Sequence, residues 1–179
     1  MHKNLKEQDL IAKSTWKYTK TVAHSKSARR IDNTRKQLVA SIQNASKKIE
    51  AVKDGYKGDQ EFKNQILDYL NIVEKNINEE YSKIIDMQEV AEQSYDLMEA
   101  YILTRDLVNE RLDAEQEKIV NAQKSFALKY NINLTEDTSE LGKKMQKSNE
   151  VFKYRTELYL IFFKVYVTDS YLSTAIEKK

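Results

Sequence analysis

Proline and cysteine are absent from the 179 residues, and glycine occurs only at Gly55, Gly58 and Gly142. Without proline nothing forces a helix to end or kink, and with so little glycine few left-handed turns are open to the chain. The sequence therefore predicts long helices. The lack of cysteine excludes disulfides and thiolate metal sites, and it fits either a reducing compartment or an exported protein that needs no cross-link. Only His2 and His24 carry imidazoles. Neither follows a glutamate three positions earlier, so the Glu-x-x-His pattern of helical carboxylate metal sites is missing. No metal and no cofactor are expected, and no glycine-rich phosphate loop is present. The longest apolar run, from Leu158 to Val167, is broken by Lys164 and falls well short of the ~20 residues that a membrane span needs.

What is present is helix-forming and well charged. Charged residues make up 32% and hydrophobic residues 40%, with 11 tyrosines and 5 phenylalanines, a composition that supports one packed domain over residues 1–179. The net charge of +2 conceals an asymmetry: residues 1–58 hold 14 Lys and Arg against 5 Asp and Glu, and the remainder is acidic. A basic first helix packed beside acidic later ones accounts for this. Nucleic acid is not expected as a partner, because Asp32 interrupts the basic stretch and no glycine-aromatic binding motif accompanies it.

The expected fold class is all-α, an elongated antiparallel helical bundle of about four long helices. A first helix reads from Asn4 to Val52, with a heptad seam at Leu38, Ile42, Ala45 and Ile49. Asp54 to Asp59 reads as a turn, with Gly55 in the left-handed cap and Asp59 capping the next helix. That second helix carries Phe62, Ile66, Leu70, Val73 and Ile77. A reversal is placed near Ile84–Asp86, where Asp86 and Glu89 have capping-box spacing; the alternative is one helix from Asp59 to Tyr130. A third helix then runs to Tyr130, Asn131–Glu136 forms a loop with Asp137 and Glu140 in capping-box spacing, and the fourth helix runs from Thr138 to Glu177.

Setting these helices side by side puts 28–52, 59–83, 92–116 and 153–177 in a four-helix slab. Residues 117–152 project from it as a helical hairpin, and residues 4–23 overhang the other end. The segment from Leu158 to Val167 is apolar nearly all round and is expected to be the most buried. Trp16 on the overhang calls for cover, so a homodimer through residues 4–23, or a continuation of the chain, is an expected contact.

Extending the seams inward places polar groups where a bundle prefers leucine: His24 and Arg35 on the first helix, Ser94, Arg105 and Glu115 on the third. In that register His24 and Arg30 sit near Glu89 and Glu92, and Arg35 near Glu99 and Asp169. One outcome is a set of interior ion pairs that fix register. The other is a polar pocket lined by His24, Ser27, Arg30, Arg35, Glu92, Tyr95 and Glu99, suited to a small anionic or zwitterionic ligand. No catalytic residue is assigned, because His24 lacks a defined partner. Glu89 with Glu92, and Asp113 with Glu117, read as solvated helix faces.

Several strings carry a resemblance: Ala23-His24-Ser25-Lys26-Ser27-Ala28-Arg29-Arg30, Ala91-Glu92-Gln93-Ser94-Tyr95-Asp96-Leu97-Met98-Glu99-Ala100-Tyr101, Tyr130-Asn131-Ile132-Asn133-Leu134 and Tyr159-Leu160-Ile161-Phe162-Phe163-Lys164. On these the chain resembles a family of exported bacterial surface proteins of unknown function. The resemblance implies export to the periplasm or cell surface through a leader or lipid anchor. Met1-His2-Lys3-Asn4 runs directly into polar helix, so such a leader is expected to lie outside this sequence. With no active site to carry across, the expected role is a non-enzymatic binding or structural module. The alternative is a sensor-like domain that binds a small solute at the end of the bundle marked by His24, Arg35, Glu92 and Glu99.

Overall fold

The computed structural model describes residues 2–25, 27–135 and 139–177, and their side chains except those of residues 2–6 and Glu89. The fold is all-α. Helices α1 (His2–His24), α2 (Ala28–Glu50), α3 (Glu61–Lys75), α4 (Tyr81–Ala91), α5 (Tyr95–Lys129) and α6 (Glu140–Glu177) follow in order, with a π-helical turn at Asn76–Glu80 joining α3 to α4 in one continuous rod.

The expected first helix is broken. Ser27 adopts an extended conformation and caps α2, its Oγ accepting from the Arg30 N–H, while the Ser27 N–H donates to Ser25 Oγ. Serine hydroxyls bonded to nearby backbone compete with helix continuation, and here they reverse the chain. α1 therefore returns along α2: Ser14 meets Ser41 at 2.8 Å, Lys17 Nζ donates to Gln37 at 2.8 Å, and Lys48 pairs with Glu7 at 2.6 Å. Residues 4–23 are thus not an overhang. Tyr18 is buried, Ile11 and Val22 pack against the main core and Trp16 is half-buried, so much of the apolar surface of this stretch is covered within the chain, while Leu10 stays 49% exposed.

The turn between α2 and α3 forms where the glycines mark it. Gly55 has φ +63°, and a Cβ there would stand 2.1 Å from the Asp59 carbonyl oxygen. The Asp59 carboxylate accepts from the Glu61 N–H at 2.8 Å and from Lys129 and Tyr130 at 2.7 and 2.6 Å, tying the turn to the far end of α5. Tyr56, Phe62, Phe126 and Tyr130 form an aromatic cluster beside it, with the Phe62 and Phe126 rings stacked at 4.7 Å. The end of α5 thus packs on α3, not on a projecting arm.

No reversal occurs at Ile84–Asp86. Both isoleucines are buried and hold those residues in helix, and the chain turns eight residues later, where extended Ser94 caps α5 by accepting from the Leu97 N–H. α5 ends as expected at Asn131, whose φ of 52° lets the Ile132 N–H reach the Ala127 carbonyl at 2.8 Å, the 6→1 bond of a Schellman cap. Asp137 and Thr138 lie outside the described residues. α6 is capped by Ser139, whose Oγ accepts from the Gly142 N–H at 3.0 Å.

The main core gathers Ile31, Leu38, Ile42 and Ala45 of α2 with Tyr18, Leu70, Ile77 and Ile85. A second, smaller core joins Ala91, Met98 and Ile102 to Phe163 and Val167 of α6. α6 runs antiparallel to α5, and Arg105 meets Thr156 where the expected register set it beside Lys164. The four-helix slab is not realised, because residues 153–177 lie against α5 and the end of α1 on one face only. Far from being the most buried segment, 158–167 exposes Ile161, Phe162 and Val165 by 64, 69 and 66%.

Candidate functional site

Two features stand out, and the first is a cavity of about 540 Å³ where α1, α2, α4, α5 and α6 converge. Its walls are Val22 and His24 at the end of α1, Ile31 of α2, Ile85 and Gln88 of α4, Met98 to Arg105 of α5, and Phe152 to Tyr159 of α6. Glu92 in the α4–α5 turn completes the rim. The size falls within the range of small-ligand pockets.

Arg105 dominates one wall, with its side chain only 12% exposed. Its Nη2 donates to Thr156 Oγ1 at 2.9 Å and to Asp106 Oδ1 at 3.0 Å, and Thr156 donates in turn to the Phe152 carbonyl at 2.9 Å. The guanidinium lies 5.7 Å from the Tyr101 ring centre and 5.1 Å from that of Phe152. Two rings, a hydroxyl and a carboxylate therefore fix a cation at the cavity wall. Partial burial raises the Tyr159 phenol above its usual range; Glu92 adds to the rise and Arg155 opposes it. Guanidinium donors beside aromatic and apolar walls suit a small anionic or zwitterionic solute.

The seven residues expected to line a polar pocket separate. His24 and Glu92 do reach the cavity, and no ion pair joins them among the described residues. Ser27 is spent as the cap of α2, and Arg30 is exposed. Tyr95 and Glu99 pair with each other at 3.2 Å, with the Lys164 ammonium 5.2 Å over the Tyr95 ring. Burial raises the Tyr95 phenol, and the hydrogen bond to Glu99 adds to it.

Arg35 goes elsewhere altogether. Buried in the main core, it pairs with Asp32 at 2.7 Å and donates to the Ile77 carbonyl, the Asn78 carbonyl and Asn78 Oδ1 at 3.4, 3.1 and 2.9 Å. The π turn bonds its carbonyls i→i+5, with the Tyr81 N–H donating to the Asn76 carbonyl, and Arg35 adds donors to two carbonyls of that turn. Neither Glu99 nor Asp169 is its partner, and the proximity of Arg30 to Glu89 lies outside the described side chains. Tyr101, Phe152, Thr156 and Tyr159 are not among the residues expected to line a pocket and join the cavity through the observed α5–α6 register, which brings Arg105 to Thr156. Arg105 had shown itself as an inward polar residue on the α5 seam.

The second feature is the outer face of α6. Phe163 and Val167 turn toward α5, and on the opposite side Val151, Leu158, Phe162, Val165, Leu172 and Ile176 are all exposed. No helix is long and apolar enough to cross a membrane, and no cluster of His, Asp and Glu could hold a metal ion, both statements referring to the described residues. Comparison with family models, with curated proteins and with solved structures finds no match.

Proposed function

We propose that this protein is a non-enzymatic docking or structural module whose working surface is the outer face of α6. The observation that carries the reading is the double-faced character of that helix. A helix apolar on one stripe is satisfied by one neighbour, whereas one apolar nearly all round needs cover on both sides. α5 covers one side, and the exposure of Ile161, Phe162 and Val165 leaves the other to a partner. Placement at a bacterial envelope, in the periplasm or at the cell surface, is supported by the resemblance of the Ala23–Arg30 and Tyr159–Lys164 strings to exported surface proteins. Fractionating cells that express the protein from its native locus tests that placement, and recovery in the cytosolic fraction alone would refute it.

The docking reading is tested by substitution in dilute, monomeric protein. Replacing Ile161, Phe162 and Val165 by Gln should leave the melting temperature nearly unchanged, because exposed positions contribute within about ±0.5 kcal/mol. Phe163→Ala should lower it clearly. Equal losses would mean that the outer face is covered within the chain and is no docking surface.

The cavity favours a second reading, a sensor-like domain for a small organic anion gripped at Arg105 with His24, Arg155 and Glu92 at its rim. A ligand that prefers the native state raises the melting temperature. A thermal-shift screen with carboxylates, amino acids and sugar acids should find stabilisation that Arg105→Met abolishes, and no stabilisation of the wild type would remove this reading.

A further inference from the structure

The outer face of α6 repeats with a regularity that packing on α5 does not require. Val151, Arg155, Leu158, Phe162, Val165, Asp169, Leu172 and Ile176 alternate steps of four and three, the a/d pattern of a coiled-coil seam, and they run ~38 Å along the helix at ~1.5 Å per residue. The flanking positions, Tyr154, Ile161 and Thr168 on one side and Tyr159, Tyr166 and Ser173 on the other, carry no charge. Only two seam positions are charged, Arg155 and Asp169, and neither has an ion pair among the described residues.

Those two charges select an occupant. They have opposite sign and stand nearly symmetrically about the middle of the seam, between Phe162 and Val165. In a parallel pair each Asp169 would meet Asp169 of the other copy, and each Arg155 would meet its own counterpart. In an antiparallel pair about that midpoint each Asp169 lies on the same flank as Arg155 of the other copy, about three residues or ~5 Å along the axis, within reach of a guanidinium. Arg155 stands at the border between the cavity rim and the seam, so its head group is free to turn outward. Against a lipid surface the same Asp169 would be buried unpaired in the apolar stripe, at high cost.

We infer that α6 pairs with α6 of a second copy of this chain, antiparallel, through the seam from Val151 to Ile176, with Arg155 and Asp169 specifying direction and register. The inference rests on the docking reading and names its partner.

Sedimentation across a micromolar concentration series tests it. The chain should dimerise, and Phe162→Glu should yield a monomer of unchanged helix content by circular dichroism. Arg155→Asp and Asp169→Arg each turn both symmetry-related charge contacts repulsive and should weaken the dimer roughly tenfold or more, and the double exchange should restore it. Because the chain has no cysteine, direction can be read by disulfide trapping: mixing Val151→Cys protein with Ile176→Cys protein should give the mixed disulfide. A dimer that ignores Phe162→Glu overturns the inference, and so does a Val151→Cys protein that cross-links to its own kind and not to the Ile176→Cys protein. A chain that stays monomeric, including one that binds lipid vesicles as a monomer, also overturns it. In the monomeric case, outer-face Gln substitutions that leave the melting temperature intact keep the docking reading alive, whereas a collapse of the melting temperature removes both.

Discussion

Asp59 ties the α2–α3 turn to the end of α5, and its ionisation carries a signature of that tie. Hydrogen bonds from Lys129 first, then from Tyr130 and the Glu61 N–H, hold its carboxyl at about 2, below the ordinary 3.8. A depressed native value means that the folded state favours the ionised form, so this contribution is complete above about pH 4 and is lost as pH falls toward 2. Asp59→Asn should flatten that part of the stability curve; denaturation midpoints at stepped acid pH would show it, and parallel curves for the two proteins would exclude the role. Arg35→Met, which takes a buried charged donor from Asp32, Asn78 and the Ile77 carbonyl, should cost about 1–3 kcal/mol, measured as a lowered urea midpoint. A neutral result would mean that water reaches the π turn. The inward position of Arg35 on the α2 seam is legible in the heptad pattern, and so is the need for a partner. The partner is not legible, because two of its acceptors are backbone carbonyls of a π turn and no charge pattern marks a backbone group.

Among the elements, the α2–α3 turn and the end of α5 are readable because their chemistry is local: glycine at positive φ, an aspartate just before the helix accepting from its first N–H, asparagine at the C′ position. Gly55→Ala should destabilise more than Gly58→Ala, since a methyl group at Gly55 collides with the Asp59 carbonyl while nothing stands within 4 Å at Gly58. Thermal melts of the two variants give the order directly. The Ser25–Ser27 break and the late turn at Ser94 are harder to read, because serine in a helical pattern serves equally as seam, surface or cap until tertiary contacts decide. Their consequence is an exchange of roles between two phenylalanines. Phe126→Ala, which dismantles the aromatic cluster, should lower the denaturation midpoint more than Phe162→Ala on the open face of α6, and the opposite order would show that α6 is enclosed.

For the whole molecule, the apolar character of 158–167 is plain in the sequence and its burial within one chain does not follow from it. Hydrophobic periodicity reports that a face seeks cover; it does not say whether the cover belongs to the same chain. The cavity is legible only in part: His24 and Glu92 are expected at a pocket at this end of the bundle, whereas Arg105 and Tyr159 join them because α1 turns back and the α5–α6 register shifts. The basic first half and acidic remainder of the chain likewise do not meet as ion pairs along facing helices: among the described residues the ion pairs between residues more than four apart in sequence are Lys48 with Glu7 and Lys129 with Asp59.

The reversal at Ser25–Ser27 also bears on how quickly the chain finds its structure. With α1 folded back, the helical rods pack chiefly on their neighbours in chain order, α1 on α2, α2 on α3, the α3–α4 rod on α5, and α5 on α6; the contact of α1 with α6 is the main distant closure. Such sequence-local topologies search little loop entropy and fold in about milliseconds or less. Trp16, the single tryptophan, sits on the first of these hairpins and should report its docking in a fast stopped-flow phase. The α1–α6 closure, which must await every other helix, should lag behind it, so a quencher or donor label near Tyr159 should resolve a second and slower phase that Trp16 does not see.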